Sequence, residues 1–147
     1  MADGKSAITE VMAFAEIAFV GNTIPHSWYQ HVRKSNGKVD AHALLLLGDV
    51  CYWYRPTVVY DEETNQVLKV ERKFHADYLQ RSYKQIQKKY GLTKNQARRA
   101  LETLEALNLV RREFRTMYVK GVKLANVMYL IPNVEKITEI TSIENNQ

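Results

Sequence analysis

The most regular alternation of apolar and polar positions lies between Ser82 and Asn108. Two hydroxyl residues, Ser82 and Thr93, each stand three positions before a glutamine, Gln85 and Gln96. A hydroxyl at the N-cap with Glu or Gln three residues on is a capping box, so two helices start one after the other here. The first places Tyr83, Ile86 and Tyr90 on one face and meets Gly91, which takes the left-handed conformation that ends a helix. Only Gly91 and Leu92 then precede Thr93, the tight connection of a helix-turn-helix spanning 82–108. In the second helix Ala97, Leu101, Leu104 and Asn108 follow one stripe, flanked by Ala100 and Leu107. At about 100° per residue the opposite face carries Asn95, Arg99, Glu102 and Ala106, bordered by Gln96 and Arg98.

On either side of this pair the pattern changes period. After Asn108, which stands in for a helix-ending glycine, LVRREFRTMYV and LANVMYLI are two β-prone arms around the basic loop KGVK. Following a helix-turn-helix, such a hairpin, over 109–132, is a wing. Upstream, Asp40 is an N-cap for a helix over 41–54, which must end there because Pro56 disfavours helical geometry at Arg55. Leu44 to Leu47 and the aromatic end Tyr52, Trp53 and Tyr54 make it apolar nearly all round, the mark of a central buried helix. Those aromatics are assigned to packing rather than to stacking on bases. PHSWYQHV reads as a short helix with Pro25 in its first turn, and SNGK as a loop. VVYDEETNQVLKV reads as an extra β-hairpin whose acidic tip, Asp61 to Glu63, should point away from nucleic acid. The apolar run Met12 to Ile24 reads as a strand, and the terminal IENNQ as a frayed end.

Composition narrows the class. With 147 residues, 46% hydrophobic and 25% charged, the chain has the profile of one globular domain, 1–147 with its core over about 25–140, and needs no metal or disulfide to hold it. Its single cysteine, Cys51, cannot form an internal disulfide, which favours a reducing, cytoplasmic setting. The apolar windows Ile8 to Val20 and Ala41 to Tyr54 are too short to span a bilayer and are interrupted by Glu10, Glu16 and Asp49, so no membrane association is expected. Asp3 and Lys5 precede no cleavage-site pattern, so no secretory signal is expected either. Walker-type, dinucleotide-binding and nucleophile-elbow motifs are missing, and His26, His31, His42 and His75 are scattered. The expectation is a protein without enzymatic activity, cofactor or metal. Asp49 is the one carboxylate without a role on the sequence alone.

The net charge of +5 is unevenly placed. Twelve Lys and Arg against three Glu lie between Arg81 and Lys123, leaving nine positive and thirteen negative residues elsewhere. A basic segment on an otherwise mildly acidic chain is the footprint expected for phosphate binding. A recognition helix reads the major groove with its N-terminal half, where Arg can pair with guanine and Asn or Gln with adenine. Asn95 and Arg99 carry the right chemistry on the right face. Gln96 also serves as the capping-box partner, and Arg98 is equally placed to read a base or to pair with Glu102. Candidate backbone contacts are Lys84, Lys88, Thr93, Lys94, Arg112, Arg115, Lys120 and Lys123, which would position the protein without reading sequence.

These features together, Ser82 to Pro132 with the helix end LETLEALNLV and the basic hairpin, resemble the winged-helix domains of bacterial DNA-binding proteins. The longer order, with IPHSWYQHV and a buried helix before the motif and NVMYLIPNVEKITEIT after it, is similar to the N-terminal domains of phage replisome organisers and DnaD-type primosome proteins. The resemblance implies an α+β winged helix-turn-helix with a central buried helix, an extra β-hairpin and a C-terminal β-wing. It implies binding of double-stranded DNA in the initiation or organisation of phage or mobile-element replication, with other replication proteins as partners. A winged-helix transcriptional regulator and a winged helix that docks proteins instead of DNA are the alternatives. The acidic hairpin and Asn108 depart from the commonest winged-helix pattern. A homodimer is expected, because recognition helices commonly act in pairs on half-sites, with Ile8 to Val20 and VEKITEITSI as candidate interfaces.

Overall fold

Asp40 begins the helix on which the other elements are arranged. Its Oδ1 accepts a hydrogen bond from the Ala43 amide at 3.0 Å, capping the helix α3 (Ala41–Tyr54) as the sequence predicts. Its Oδ2 accepts from the Thr103 hydroxyl at 2.7 Å, which ties that cap to a second helix, α5 (Lys94–Ala106). Arg55 is extended ahead of Pro56, and α3 stops there.

The computed structural model describes residues 4–142. In chain order the remaining elements are α1 (Gly4–Phe14), α2 (Trp28–His31), β1 (Thr57–Tyr60), β2 (Val67–Glu71), β3 (Leu79–Gln80), α4 (Tyr83–Tyr90), β4 (Val110–Val119), β5 (Val122–Pro132) and α6 (Val134–Thr141). The described residues thus form a mixed α+β fold of six helices and two small antiparallel sheets. One sheet is the β1–β2 hairpin, and the other has the order β3-β5-β4. Among the described residues no helix is long and apolar enough to cross a membrane.

The core lies where α3, α4 and α5 meet the inner face of the three-stranded sheet. Leu44, Leu47 and Val50 of α3, Ile86 of α4, Ala97, Leu101 and Leu104 of α5, and Val110, Met128 and Leu130 of the sheet belong to one buried cluster. Removing a leucine from such a cluster costs about 2–5 kcal/mol. The 22–24 segment packs on α3 beside Gly48, where a Cβ would meet the Thr23 carbonyl oxygen in ordinary van der Waals contact at 3.4 Å. Tyr54 donates to the Leu130 carbonyl at 2.7 Å and accepts from the Leu79 amide at 2.9 Å, so its ring closes the core as expected of packing.

Asp49 has its explanation here. It is 1% exposed, and Arg81 binds it in a two-point grip, Nε to Oδ2 and Nη2 to Oδ1, each at 2.9 Å. The Tyr90 hydroxyl donates to Oδ1 at 2.7 Å, Lys89 reaches it at 3.3 Å, and Asn22 donates to the Tyr90 oxygen at 2.6 Å. Burial, then the Asp49 carboxylate, pushes the Tyr90 phenol well above its ordinary value, so it stays a proton donor. The Arg81 amide also donates to the Met128 carbonyl of β5 at 3.0 Å. One carboxylate therefore joins α3, the start and end of α4, and the sheet.

Three expectations change. Met12 to Ile24 is not a strand: α1 ends at Phe14 and the segment beyond it is irregular. A strand needs a ladder, and this segment pairs with neither sheet. Pro25 lies before α2 rather than in its first turn, its carbonyl accepting from the Trp28 amide at 3.0 Å. The apolar side of α6 is used within the chain: Ile140 is buried, the Ser27 hydroxyl donates to its carbonyl at 2.7 Å, and Trp28 donates to the Thr141 hydroxyl at 2.8 Å. That takes Ile140 out of the candidate interface VEKITEITSI, while Val134 of α6 and Ile8, Val11, Met12 and Phe14 of the N-terminal segment are exposed. The frayed end expected for IENNQ lies outside the described residues.

Deleting one partner of a buried ion pair strands the other charge, at about 3–5 kcal/mol. Asp49→Ala is expected to lose that much in urea unfolding, and Asp49→Leu combined with Arg81→Met to recover most of it. A loss below about 1 kcal/mol for Asp49→Ala would mean the pair does not organise the fold.

Candidate nucleic-acid interface

Both capping boxes form. Ser82 Oγ accepts from the Gln85 amide at 3.1 Å while Gln85 Oε1 accepts from the Ser82 amide at 2.9 Å, and Thr93 and Gln96 repeat the same two distances. Gly91 sits at φ 70° and stops α4, so α5 starts after two residues. Asn108 takes φ 60° after α5 and turns the chain into β4, the role expected of it, though it is exposed rather than on the buried stripe. The β4–β5 ribbon turns through Lys120 and Gly121, at φ 51° and 80°, the two-residue turn whose twist matches its strands. Along it, the register slips between Arg115 and Met117, and Asn126 takes φ 58° opposite the slip.

The outward face of α5 is polar and open. Asn95, Arg99, Glu102 and Ala106 are exposed, while Ala97, Ala100, Leu101 and Leu104 are buried beneath them. Arg98 donates to Glu102 at 2.6 Å and to Asn95 Oδ1 at 3.4 Å, a solvent-exposed i,i+4 pair that holds the guanidinium along the helix. Such a pair is worth little and is exchanged readily for another anion. Arg99 has no ion pair among the described residues. Gln96 and Thr93 are committed to the cap, leaving one lone pair or donor of each outward. Lys94 stands 5.7 Å from the Tyr83 ring, and Lys84 and Lys88 project from α4 one turn apart without a carboxylate partner among the described residues. Lys120 and Lys123 are exposed at and beside the turn of the β4–β5 ribbon.

Two candidates are engaged elsewhere. Arg112 donates to both Glu105 oxygens, at 2.9 Å through Nε and 3.1 Å through its amide, and its Nη1 donates to the Tyr83 hydroxyl at 2.9 Å. Its side chain is 17% exposed, so it fastens the sheet to α4 and α5 instead of facing outward. Arg115 grips Asp77 through both terminal nitrogens, at 2.9 and 3.0 Å, and Glu113 through Nε at 2.5 Å, with its guanidinium 4.4 Å from the Tyr129 ring. Its hydrogen bonds hold the Asp77 and Glu113 carboxyls below the usual carboxylate range. Both arginines are thus held by carboxylates of this chain, Arg112 from a mostly buried position and Arg115 at the surface. A run of arginines in a strand shows charge but not which of them meet carboxylates from other elements.

Sequence reasoning also passed over a basic turn outside the main cluster. Arg33 to Val39 forms a tight ribbon: Arg33 and Val39 pair, the Lys34 amide donates to the Lys38 carbonyl at 2.8 Å, and Gly37 takes φ 85°. This turn lies beside α5, where Lys34, Arg99 and Thr103 line two adjoining hollows, one completed by Arg33, Ser35 and Glu102 and the other by His42 and Gln96. The lysines flanking Ser35-Asn36-Gly37 were its only signal.

No family model, curated protein or solved structure matches the chain.

Because Arg112 bridges α4, α5 and β4 from a mostly buried position, Arg112→Ala is expected to cost about 1.5–3 kcal/mol in thermal unfolding. Lys84→Ala and Lys88→Ala should stay within about 0.5 kcal/mol of wild type. Equal effects of all three would mean that Arg112 is not a structural clasp.

Proposed function

We propose that this protein binds duplex DNA as a winged helix-turn-helix, without catalysing a reaction. In this reading α4 and α5 are the helix-turn-helix, α5 is the recognition helix, and the β4–β5 ribbon is the wing. The observation that carries it is the outward face of α5, where Asn95 and Arg99 stand exposed and Arg98 half-buried in the first two turns, just beyond the Thr93 cap. Backbone amides at a helix start favour phosphate, and the residues of the first turns reach base edges when the helix lies in the major groove. Lys84 and Lys88 of α4, Lys94 at the start of α5, and Lys120 and Lys123 at the ribbon turn are exposed and in this reading supply the backbone contacts. Arg99 and Asn95 read bases, Arg98 exchanges Glu102 for a base or phosphate, and Gln96 holds the cap. Arg112 and Arg115 leave the set of DNA contacts because carboxylates already occupy them.

The biological role rests on the resemblance to phage replisome organisers and DnaD-type primosome proteins: initiation or organisation of replication of a phage or mobile element, together with other replication proteins. A transcriptional regulator of the same architecture is the alternative. A specific observation favours a second surface for proteins. Val11, Met12 and Phe14 of α1 and Val67, Leu68 and Val70 of β2 are all more than half exposed, more apolar surface than DNA binding needs. In this proposal α1 serves a homodimer or a replication partner, and the acidic tip of the β1–β2 hairpin stays away from the DNA.

Fluorescence anisotropy with a mixed-sequence duplex across a salt series tests the reading. Affinity is expected to fall with salt at a log–log slope near −0.9 per phosphate neutralised. Arg98→Ala with Arg99→Ala should lose about 1–3 kcal/mol for each base contact removed. No binding at low salt, or a double variant that binds like wild type, would assign the face to solvent and turn attention to the apolar surfaces.

A further inference from the structure

The recognition helix has two flanks, and only one is accounted for by α4 and the wing. Around the axis of α5, at about 100° per residue, Lys94 and Glu105 fall on one side of the outward face, toward Tyr83 and Arg112. Gln96, Arg99 and Thr103 fall on the other, toward the 33–39 turn. The face of exposed Asn95, Glu102 and Ala106, with half-buried Arg98, lies between these flanks. A duplex seated on that face meets whatever projects beside it on both sides.

The second flank is cationic and rigid. Arg33 donates through Nε to the Tyr29 carbonyl at 3.2 Å and through Nη1 to the Gly37 carbonyl at 2.8 Å, bracing the turn from within. Asn36 Oδ1 accepts from the Lys38 amide at 2.9 Å, and the Asp40 amide donates to the carbonyl of the fully buried Val32 at 3.1 Å. The pairing of Arg33 with Val39 sets Lys34 opposite Lys38, and opposite residues of a ribbon share a face. Lys34 and Lys38 have no carboxylate partner among the described residues. The two carboxylates lining the hollows are already engaged, Asp40 by Ala43 and Thr103, Glu102 by Arg98. Arg99, on α5, faces Lys34 across the hollow and is likewise without an ion pair among the described residues. Lys34 and Arg99 line the hollows and Lys38 stands opposite Lys34 on the turn, while Glu102 is paired with Arg98 and Asp40 is turned to its own hydrogen bonds, an arrangement suited to an anion such as a backbone phosphate of the duplex.

We propose that the 33–39 turn is a third DNA contact, in which Lys34 and Lys38 take backbone phosphates on the side of α5 away from the wing, while Arg99 across the groove keeps its place on the recognition helix and adds only its positive charge to the hollow. This rests on the reading of α5 as a recognition helix. The turn positions the duplex and reads no sequence, so removing its lysines weakens binding by the same factor for every sequence.

The test is the salt dependence of duplex binding by Lys34→Ala with Lys38→Ala, beside Lys136→Ala. Lys136 is a lysine of α6 already paired with Glu139, so its loss lowers net charge away from the site. The turn variant is expected to reduce the magnitude of the log–log slope by about 0.9 for each phosphate it no longer neutralises, while Lys136→Ala keeps the wild-type slope. Both side chains of the turn are exposed and take no part in its hydrogen bonds, so the unfolding temperature should stay that of wild type. A wild-type slope in the turn variant, with binding abolished in Arg98→Ala, Arg99→Ala, would overturn the third contact and leave the recognition helix standing. Equal slope changes in the turn and Lys136 variants would also overturn it, as an effect of net charge. A wild-type protein that does not bind duplex would overturn both.

Discussion

A carboxylate in the middle of an apolar helix must be paired, and the pairing of Asp49 decides where α4 and α5 sit. Arg81 grips it from the residue just ahead of the Ser82 cap, and Tyr90 and Lys89 reach it from the last turn of α4. Both ends of α4 are thereby fixed to α3, and the two-residue connection through Gly91 passes that constraint to α5. A hydrophobic cluster alone would leave α4 free to slide or roll, because apolar contacts are non-directional. The ion pair removes that freedom, and the Asp40–Thr103 hydrogen bond does the same for the far side of α5.

The consequence is a helix whose buried side is set by packing and whose outward side is set by exclusion. Carboxylates near the basic segment are used up locally: Glu105 by Arg112, Asp77 and Glu113 by Arg115, Glu102 by Arg98. What remains without a carboxylate partner among the described residues is narrower than the sequence count of charges implies: around α4 and α5 it is Lys84, Lys88, Lys94 and Arg99, joined by the lysines of the 33–39 turn and of the β4–β5 turn, while Arg55, Arg72 and Lys73 near the β1–β2 hairpin have none either. The proposed binding of duplex DNA draws on that residue of unpaired positive charge. The acidic Asp61 to Glu63 tip belongs to a separate two-stranded sheet.

Local rules made the helices and turns legible in advance. The Asp40 cap, both capping boxes, the left-handed Gly91 and Asn108, and the ribbon turn near Gly121 each rest on a few neighbouring residues, so a short stretch of sequence suffices to see them. Features that depend on distant partners were not legible in this way. Met12 to Ile24 has strand-like composition but joins neither sheet, and α1 forms over its first residues. Arg112 and Arg115 look like free cations until Glu105, Tyr83 and Asp77 arrive from other elements. Lys34, far from the basic segment along the chain, comes to lie beside Arg99 only because α3 and α5 pack together.

The central claim is that the outward face of α5, with its two flanks, is the surface that meets DNA. Backbone amide NMR shifts followed during titration with a mixed-sequence duplex at low salt test it residue by residue. The account predicts that the shifts concentrate in the first turns of α5, in 33–39 and around Lys120 to Lys123, leaving α1 and the β1–β2 hairpin unmoved. Shifts confined to α1 and that hairpin, or none at all, would contradict it.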